Sequence, residues 1–218
     1  MKGLIRNNFY SVCSALKWTI AFCIVVNIAI IIGAERFTNS EGLLTILILG
    51  EIGAFTSLTG TALEKDNASN WSKYERTLPV KMSYITMARY ISFLIFSGIG
   101  ILLATVTVVL FSAILTQPIN LERVGYGYSF GIVFSLLVPA FLYPLVLKFG
   151  ADKVNLMLII SVSITLFLFN GGSSILTPYL INLNNANMIY RIGFMVISVL
   201  MFIASYFISL AIYKRKEF

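Results

Sequence analysis

One ionisable side chain, Glu51, stands within an otherwise uncharged apolar run, about nine residues from that run's start. An acid at such depth suits a cation or substrate contact, or a neutral, hydrogen-bonded packing role. At 100° per residue Leu44, Leu47, Ile48, Phe55 and Leu58 share its face, with Gly53, Ser57 and Gly60 opposite. The rest of the chemical inventory is sparse. There is no histidine, which removes His-based zinc sites, His proton relays and His-activated nucleophiles. The aspartates are Asp66 and Asp152, placed on different loops, too few and too scattered for a metal-dependent phosphotransferase. No G-x-x-x-x-G-K-[ST] is present to cradle nucleotide phosphates. Cys13 and Cys23 lie ten residues apart on one expected helix, too far to bond. Covalent catalysis and ATP hydrolysis by this chain are therefore not expected, and no metal site is.

The elements that hold these residues follow from composition. Of 218 residues 58% are hydrophobic and 11% charged, with a mean hydropathy of +0.89. A soluble domain carries roughly 25% charged residues, so lipid must be the solvent. Uncharged apolar runs fall at about 18–34, 43–63, 90–116, 127–147, 154–176 and 192–213. The expected fold is an all-α integral membrane protein of six transmembrane helices, 1–218 forming a single transmembrane domain. The first run is too long for a cleaved leader and reads as a retained helix. With the N-terminus inside, 13 of the 16 basic residues fall on the inner side, which predicts a multi-pass cell-membrane protein with both termini cytoplasmic. The net charge of +7 is thereby explained by topology, and no nucleic-acid partner is expected.

Three connecting segments exceed a turn. Residues 1–17 put Leu4, Ile5, Phe9, Val12, Cys13 and Leu16 on one face, the pattern of an interfacial helix along the inner leaflet. Residues 64–89 form the longest inner segment, in which Ser69 or Asn70 can cap a short helix that Pro79 ends, the proline suiting the first turn of the next helix, which runs into the third span. Outside, 171–190 opens with Gly171-Gly172, expected to break the fifth helix, and continues into an apolar piece too short to cross. A short dipping segment or outer cap is expected there. Pro139 and Pro144 should bend the fourth helix.

On the second helix Gly53, Ser57 and Thr61 recur every four residues, as do Thr56 and Gly60, a spacing that allows close helix approach. The fifth carries Ser161, Ser163 and Thr165 before Phe167 and Phe169, an apolar wall with a few polar contacts. These residues suit close contact with a neighbouring helix, of this chain or of another copy.

Trp71-Ser72-Lys73-Tyr74, then Thr77-Leu78-Pro79-Val80, then the pair Arg89-Tyr90 opening a span, resemble small bacterial ABC-type (ABC-2-like) export permeases. Met1 to Ile5 and the six-span layout fit the same family. The chain departs from it in Arg89, where Lys is commoner, and in a looser acidic stretch from Glu64 to Asn67. The resemblance implies a half-transporter that pairs with a second copy or a paralogue and exports an amphipathic or hydrophobic substrate, peptide or toxin. The subgroup that secretes phenol-soluble modulins is suggested. It further implies that 64–82 is a coupling segment, with Trp71, Lys73, Tyr74, Glu75, Arg76, Leu78 and Pro79 engaging a separate ATP-binding subunit that holds ATP and Mg. By the same resemblance the second and fifth helices face the partner permease, which makes Gly53, Ser57, Gly60, Ser161, Thr165, Phe167 and Phe169 candidates for the translocation path or dimer interface. A secondary transporter, or a non-transporting membrane scaffold, is the competing expectation. The first of these should show paired broken helices and mid-depth polar residues, for which Asn27, Glu51 and Asn170 are a scattered set.

Overall fold

The computed structural model describes residues 2–33, 40–77, 79–114, 120–180 and 186–215. They form α1 (Lys2–Gly33), α2 (Ser40–Ala68), α3 (Trp71–Thr77), α4 (Met82–Ile114), α5 (Leu121–Phe149), a 3₁₀ turn (Ala151–Lys153), α6 (Val154–Leu180) and α7 (Ala186–Arg215). Six of these helices, all but α3, are long and apolar enough to cross a membrane. The chain is a multi-pass membrane protein whose regular structure is all helical among the described residues.

The two helices at the centre are α2 and α5. Half of the most apolar stretch of α2 and 61% of that of α5 are buried inside the chain, against 6% for α1. With no hydrophobic drive between helices in lipid, close approach must supply the attraction. At Gly100 of α4 an added Cβ would stand 3.2 Å from the Ile52 Cα of α2, and at Gly131 of α5 it would stand 2.5 Å from Ile52 Cδ1. These two glycines let the helices on either side close on Ile52. Around them Phe55, Phe93 and Phe96 are fully buried.

Asn120 caps α5, its side chain accepting from the Glu122 N–H at 3.0 Å and the Arg123 N–H at 3.4 Å. Pro139 and Pro144 lie inside that helix without ending it. A proline has no N–H to give the carbonyl four residues back, which frees Ser135 and Ala140. Ser97 of α4, whose nearer acceptor is the Phe93 carbonyl of its own helix at 3.0 Å, shares its hydrogen with the first at 3.5 Å, and Ser205 of α7 donates to the second. Since the Ser205 hydrogen is used there, Tyr90 of α4 donates to Ser205 Oγ at 2.7 Å and accepts from Ser209 at 2.9 Å. The prolines thus create acceptors that tie α5 to α4 and α7.

Three expectations are corrected. Residues 1–17 are not a separate interfacial helix but the first half of α1, unbroken to Gly33. The reason lies in Asn8, Leu4 and Val12, all buried: Asn8 donates to Ser92 of α4 at 2.9 Å, Leu4 packs with Ile85 and Tyr213, and Val12 with Phe55 and Phe96. Part of the apolar stripe therefore faces protein. Gly171 and Gly172 do not break α6, which continues to Leu180; Phe194 of α7 lies over Gly172, where a Cβ would stand 2.8 Å from its ring. No separate dipping segment occurs among the described residues, and 181–185 lie outside them. Finally, the expected short helix forms as α3, between an α2 that extends to Ala68 and an α4 that starts only at Met82. Pro79 sits in the bend between α3 and α4 rather than in the first turn of α4.

Candidate functional site

The end of the bundle that carries α3 is where the charged residues of the 64–89 segment meet. Asp66 lies in the last turn of α2, Glu75 in the middle of α3 and Arg89 seven residues into α4. All three are buried, at 3%, 4% and 4% exposure. The two outer nitrogens of the Arg89 guanidinium divide between them: one donates to Asp66 Oδ2, the other to Glu75 Oε2 at 3.1 Å. A planar fork of donors is suited to such a double engagement. Asp66 is thus a helical residue inside the protein, not a loop aspartate. Asp152, in the 3₁₀ turn, accepts from Asn67 at 2.8 Å and so ties the α5–α6 connection to the end of α2.

A helix of seven residues does not hold itself together in water, so its contacts with the bundle hold α3 in place. Asn70 precedes it with φ 53°, a left-handed conformation that Asn tolerates better than most residues. Trp71 turns inward, half-buried against Leu4, Ile85, Ala88 and Tyr213, and its buried indole N–H has no acceptor among the described residues. Tyr74 turns outward, 57% exposed, with its ring 5.4 Å from that of Trp71. Pro79 is exposed. Leu78 and the side chains of Lys73 and Arg76 lie outside the described residues. The sequence-derived coupling residues are therefore divided, Glu75 and Trp71 facing the bundle and Tyr74 and Pro79 facing away.

Glu51 lies deeper. Its Oε1 accepts from Asn27 Nδ2 of α1 and from Thr107 Oγ1 of α4 at 2.7 Å, while Asn27 also donates to Thr107 at 3.0 Å. Glu51 Oε2 and Asn27 Oδ1 are buried without a hydrogen-bond partner among the described residues. The residues expected to share its face, Leu44, Leu47, Ile48, Phe55 and Leu58, are all buried with it. The partners Asn27 and Thr107 come from other helices, and no spacing along the chain announces them.

The small residues of α2 do not share one fate. Ser57 is exposed and bonds only the Ala54 carbonyl of its own helix, Gly53 is half-buried near Phe134, and Gly60 is buried, where a Cβ would stand 2.3 Å from Leu158 of α6. On α6, Ser161, Thr165 and Phe169 continue the buried stripe of Val154 and Met157, both hydroxyls bonding back along their own helix. Phe169 packs with Phe130, Tyr190 and Phe194, whereas Phe167 points the other way at 77% exposure. Ser161, Thr165 and Phe169 therefore do not share a wall with Phe167.

The family model of the ABC-2 family transporter protein matches residues 3–214, nearly the whole chain. The chain belongs to the ABC-2 transporter family. No curated protein and no solved structure matches it. As an ABC-2 membrane protein it is a permease-type subunit, non-catalytic in kind, from a family that works with an ATP-binding subunit. That assignment joins two features already described: six crossing helices, and a short polar helix held at one end of them.

Proposed function

We propose that the chain is the membrane-spanning half of an ATP-driven exporter, and that α3 is the helix on which a separate ATP-binding subunit docks. The observation that carries this reading is the two-sidedness of α3: Glu75 and Trp71 anchor it to the bundle while Tyr74 stays exposed. Exposed aromatic residues on a fixed element make good anchors for a partner. ATP and Mg belong to that partner, and both termini lie with α3 on the cytoplasmic side. The substrate is an amphipathic or hydrophobic molecule, a peptide or toxin by resemblance, of the phenol-soluble modulin kind. Paired broken helices, expected of a secondary transporter, do not occur among the described residues.

A second copy or a paralogue packs along α2. Its exposed line runs through Ile46, Gly50 and Ser57, and a Cβ at Gly50 would meet nothing within 4 Å, leaving room for a close neighbour. Replacing Ser57 by Leu should then impair dimer assembly or export, and wild-type behaviour at equal expression would move the interface elsewhere.

The docking reading is tested by replacing Tyr74 with Ala in reconstituted vesicles holding the chain and its ATP-binding subunit. Export per ATP hydrolysed should fall while insertion and thermal stability stay unchanged. Trp71→Ala with Tyr74→Ala should add a loss of α3 packing to the same uncoupling. Unchanged coupling in both would sink the assignment. An impermeant thiol reagent applied to intact cells should miss a cysteine at Tyr74 and label one at Leu121; the reverse would invert the topology.

A further inference from the structure

We propose that α3 is a releasable latch, held shut by Glu75 on Arg89 and built so that it opens without leaving a bare charge in the bundle. The inference rests on the reading of α3 as the docking helix, and it concerns how that helix is held rather than what docks on it.

The buried cluster holds two carboxylates and one guanidinium. The two acids differ in what they are attached to. Asp66 belongs to α2 and Arg89 to α4, helices packed on each other along the bundle. Their pair stays together whatever α3 does. Glu75 belongs to α3 alone. When α3 swings away, Arg89 remains neutralised by Asp66 and Glu75 passes into water, where a carboxylate is well solvated. No uncompensated charge is left inside, the outcome that makes breaking most buried pairs so costly.

A second observation on the same helix points the same way. Among the described residues the buried Trp71 indole N–H has no acceptor, a cost that water removes once the helix lifts. The closed position thus carries an extra carboxylate and an unserved donor, both relieved by opening. Against them stand the packing of Trp71 on Leu4, Ile85 and Ala88 and the Glu75–Arg89 hydrogen bond. Asn70 before the helix and Pro79 after it mark the ends about which it would turn.

The chain carries its own reporter. It has two tryptophans, and Trp18→Phe leaves Trp71 as the sole one. Acrylamide quenching of Trp71 in nanodiscs, without any ATP-binding subunit, then reads whether α3 is closed. Glu75→Gln leaves Arg89 paired to Asp66 and so keeps the fold; it should roughly double the quenching constant through local opening of α3. Asp66→Asn leaves Glu75 as the one carboxylate for Arg89 and should hold quenching at or below the parental level. Quenching in Glu75→Gln equal to the parent overturns the latch, and this variant decides alone if Asp66→Asn fails to fold. A rise in Asp66→Asn matching that of Glu75→Gln overturns the division of roles between the two acids. Failure of the docking reading shows separately, as a parental chain that retains no ATP-binding subunit in a pull-down, and the quenching result does not depend on it.

Discussion

Two buried polar clusters join α2 to α4, and they solve the same problem in different ways. At Asp66 an acid is met by a full charge, Arg89, with a second acid, Glu75, on the other side of the guanidinium. Fifteen residues earlier, about 22 Å along the helix at 1.5 Å per residue, Glu51 is met only by an amide and a hydroxyl. The charged cluster lies at the α3 end, where α2 and α4 run beyond their apolar stretches. The uncharged partners lie deeper, where Arg is costliest to bury. The difference teaches how each should respond to damage. Losing the base from the first strands two carboxylates, whereas losing a neighbour from the second strands a hydrogen-bonding group.

The sharpest way to break the comparison is Arg89→Ala. It leaves Asp66 and Glu75 buried without a counter-charge and should cost about 3–5 kcal/mol, read as a large drop in thermal unfolding temperature in detergent. Combining Arg89→Met with Asp66→Asn and Glu75→Gln removes all three charges together and should recover most of that loss. A single variant no worse than the triple one would show that the cluster is solvated rather than buried.

That cluster also marks where the sequence was legible and where it was not. Six crossing helices could be read from apolar runs, since a run of about 20 uncharged residues has little else to become in lipid. The helix ends could not. Asp66 and Arg89 count as loop residues on any hydropathy scale, yet they neutralise each other and let α2 and α4 each extend several residues past their apolar runs. The buried face of α2 around Glu51 was legible from the 100° period, while Asn27 and Thr107 were not, because contacts between helices leave no spacing in the chain. On α6 the residue types were noted, but Ser161 and Phe167 fall on different faces, one buried and one exposed, which composition alone does not separate.

A smaller effect sharpens the contrast with a third polar site. Ser205 serves the carbonyl of Ala140 that Pro144 leaves free. Ser205→Ala should cost about 1–3 kcal/mol by leaving that acceptor unpaired. Pro144→Ala restores a backbone N–H to it, so the double variant should be more stable than the sum of the singles predicts. Strict additivity in a double-mutant cycle would mean that the proline and the serine do not share that carbonyl.

The smallest expected change is at Glu51, and it separates charge from shape. Glu51→Leu leaves the amide of Asn27 without its main acceptor, while Thr107 can fall back on the Leu103 carbonyl, 3.1 Å away in its own helix. Hydrogen bonds between membrane helices average about 0.6 kcal/mol in measured cycles, so a loss near that size is expected. Glu51→Gln should cost less still. Its amide oxygen keeps the place of Oε1, accepting from Asn27 and Thr107, and its NH₂ replaces Oε2, the atom that has no partner, with a donor. Asn27 Oδ1 is likewise buried without a hydrogen-bond partner among the described residues. Thermal unfolding within about 1 kcal/mol of the parent is therefore expected, with export per ATP unchanged. Loss of export at that same stability would assign the carboxylate's charge a part in transport, and would make the deeper cluster, not the Arg89 cluster, the working one of the pair.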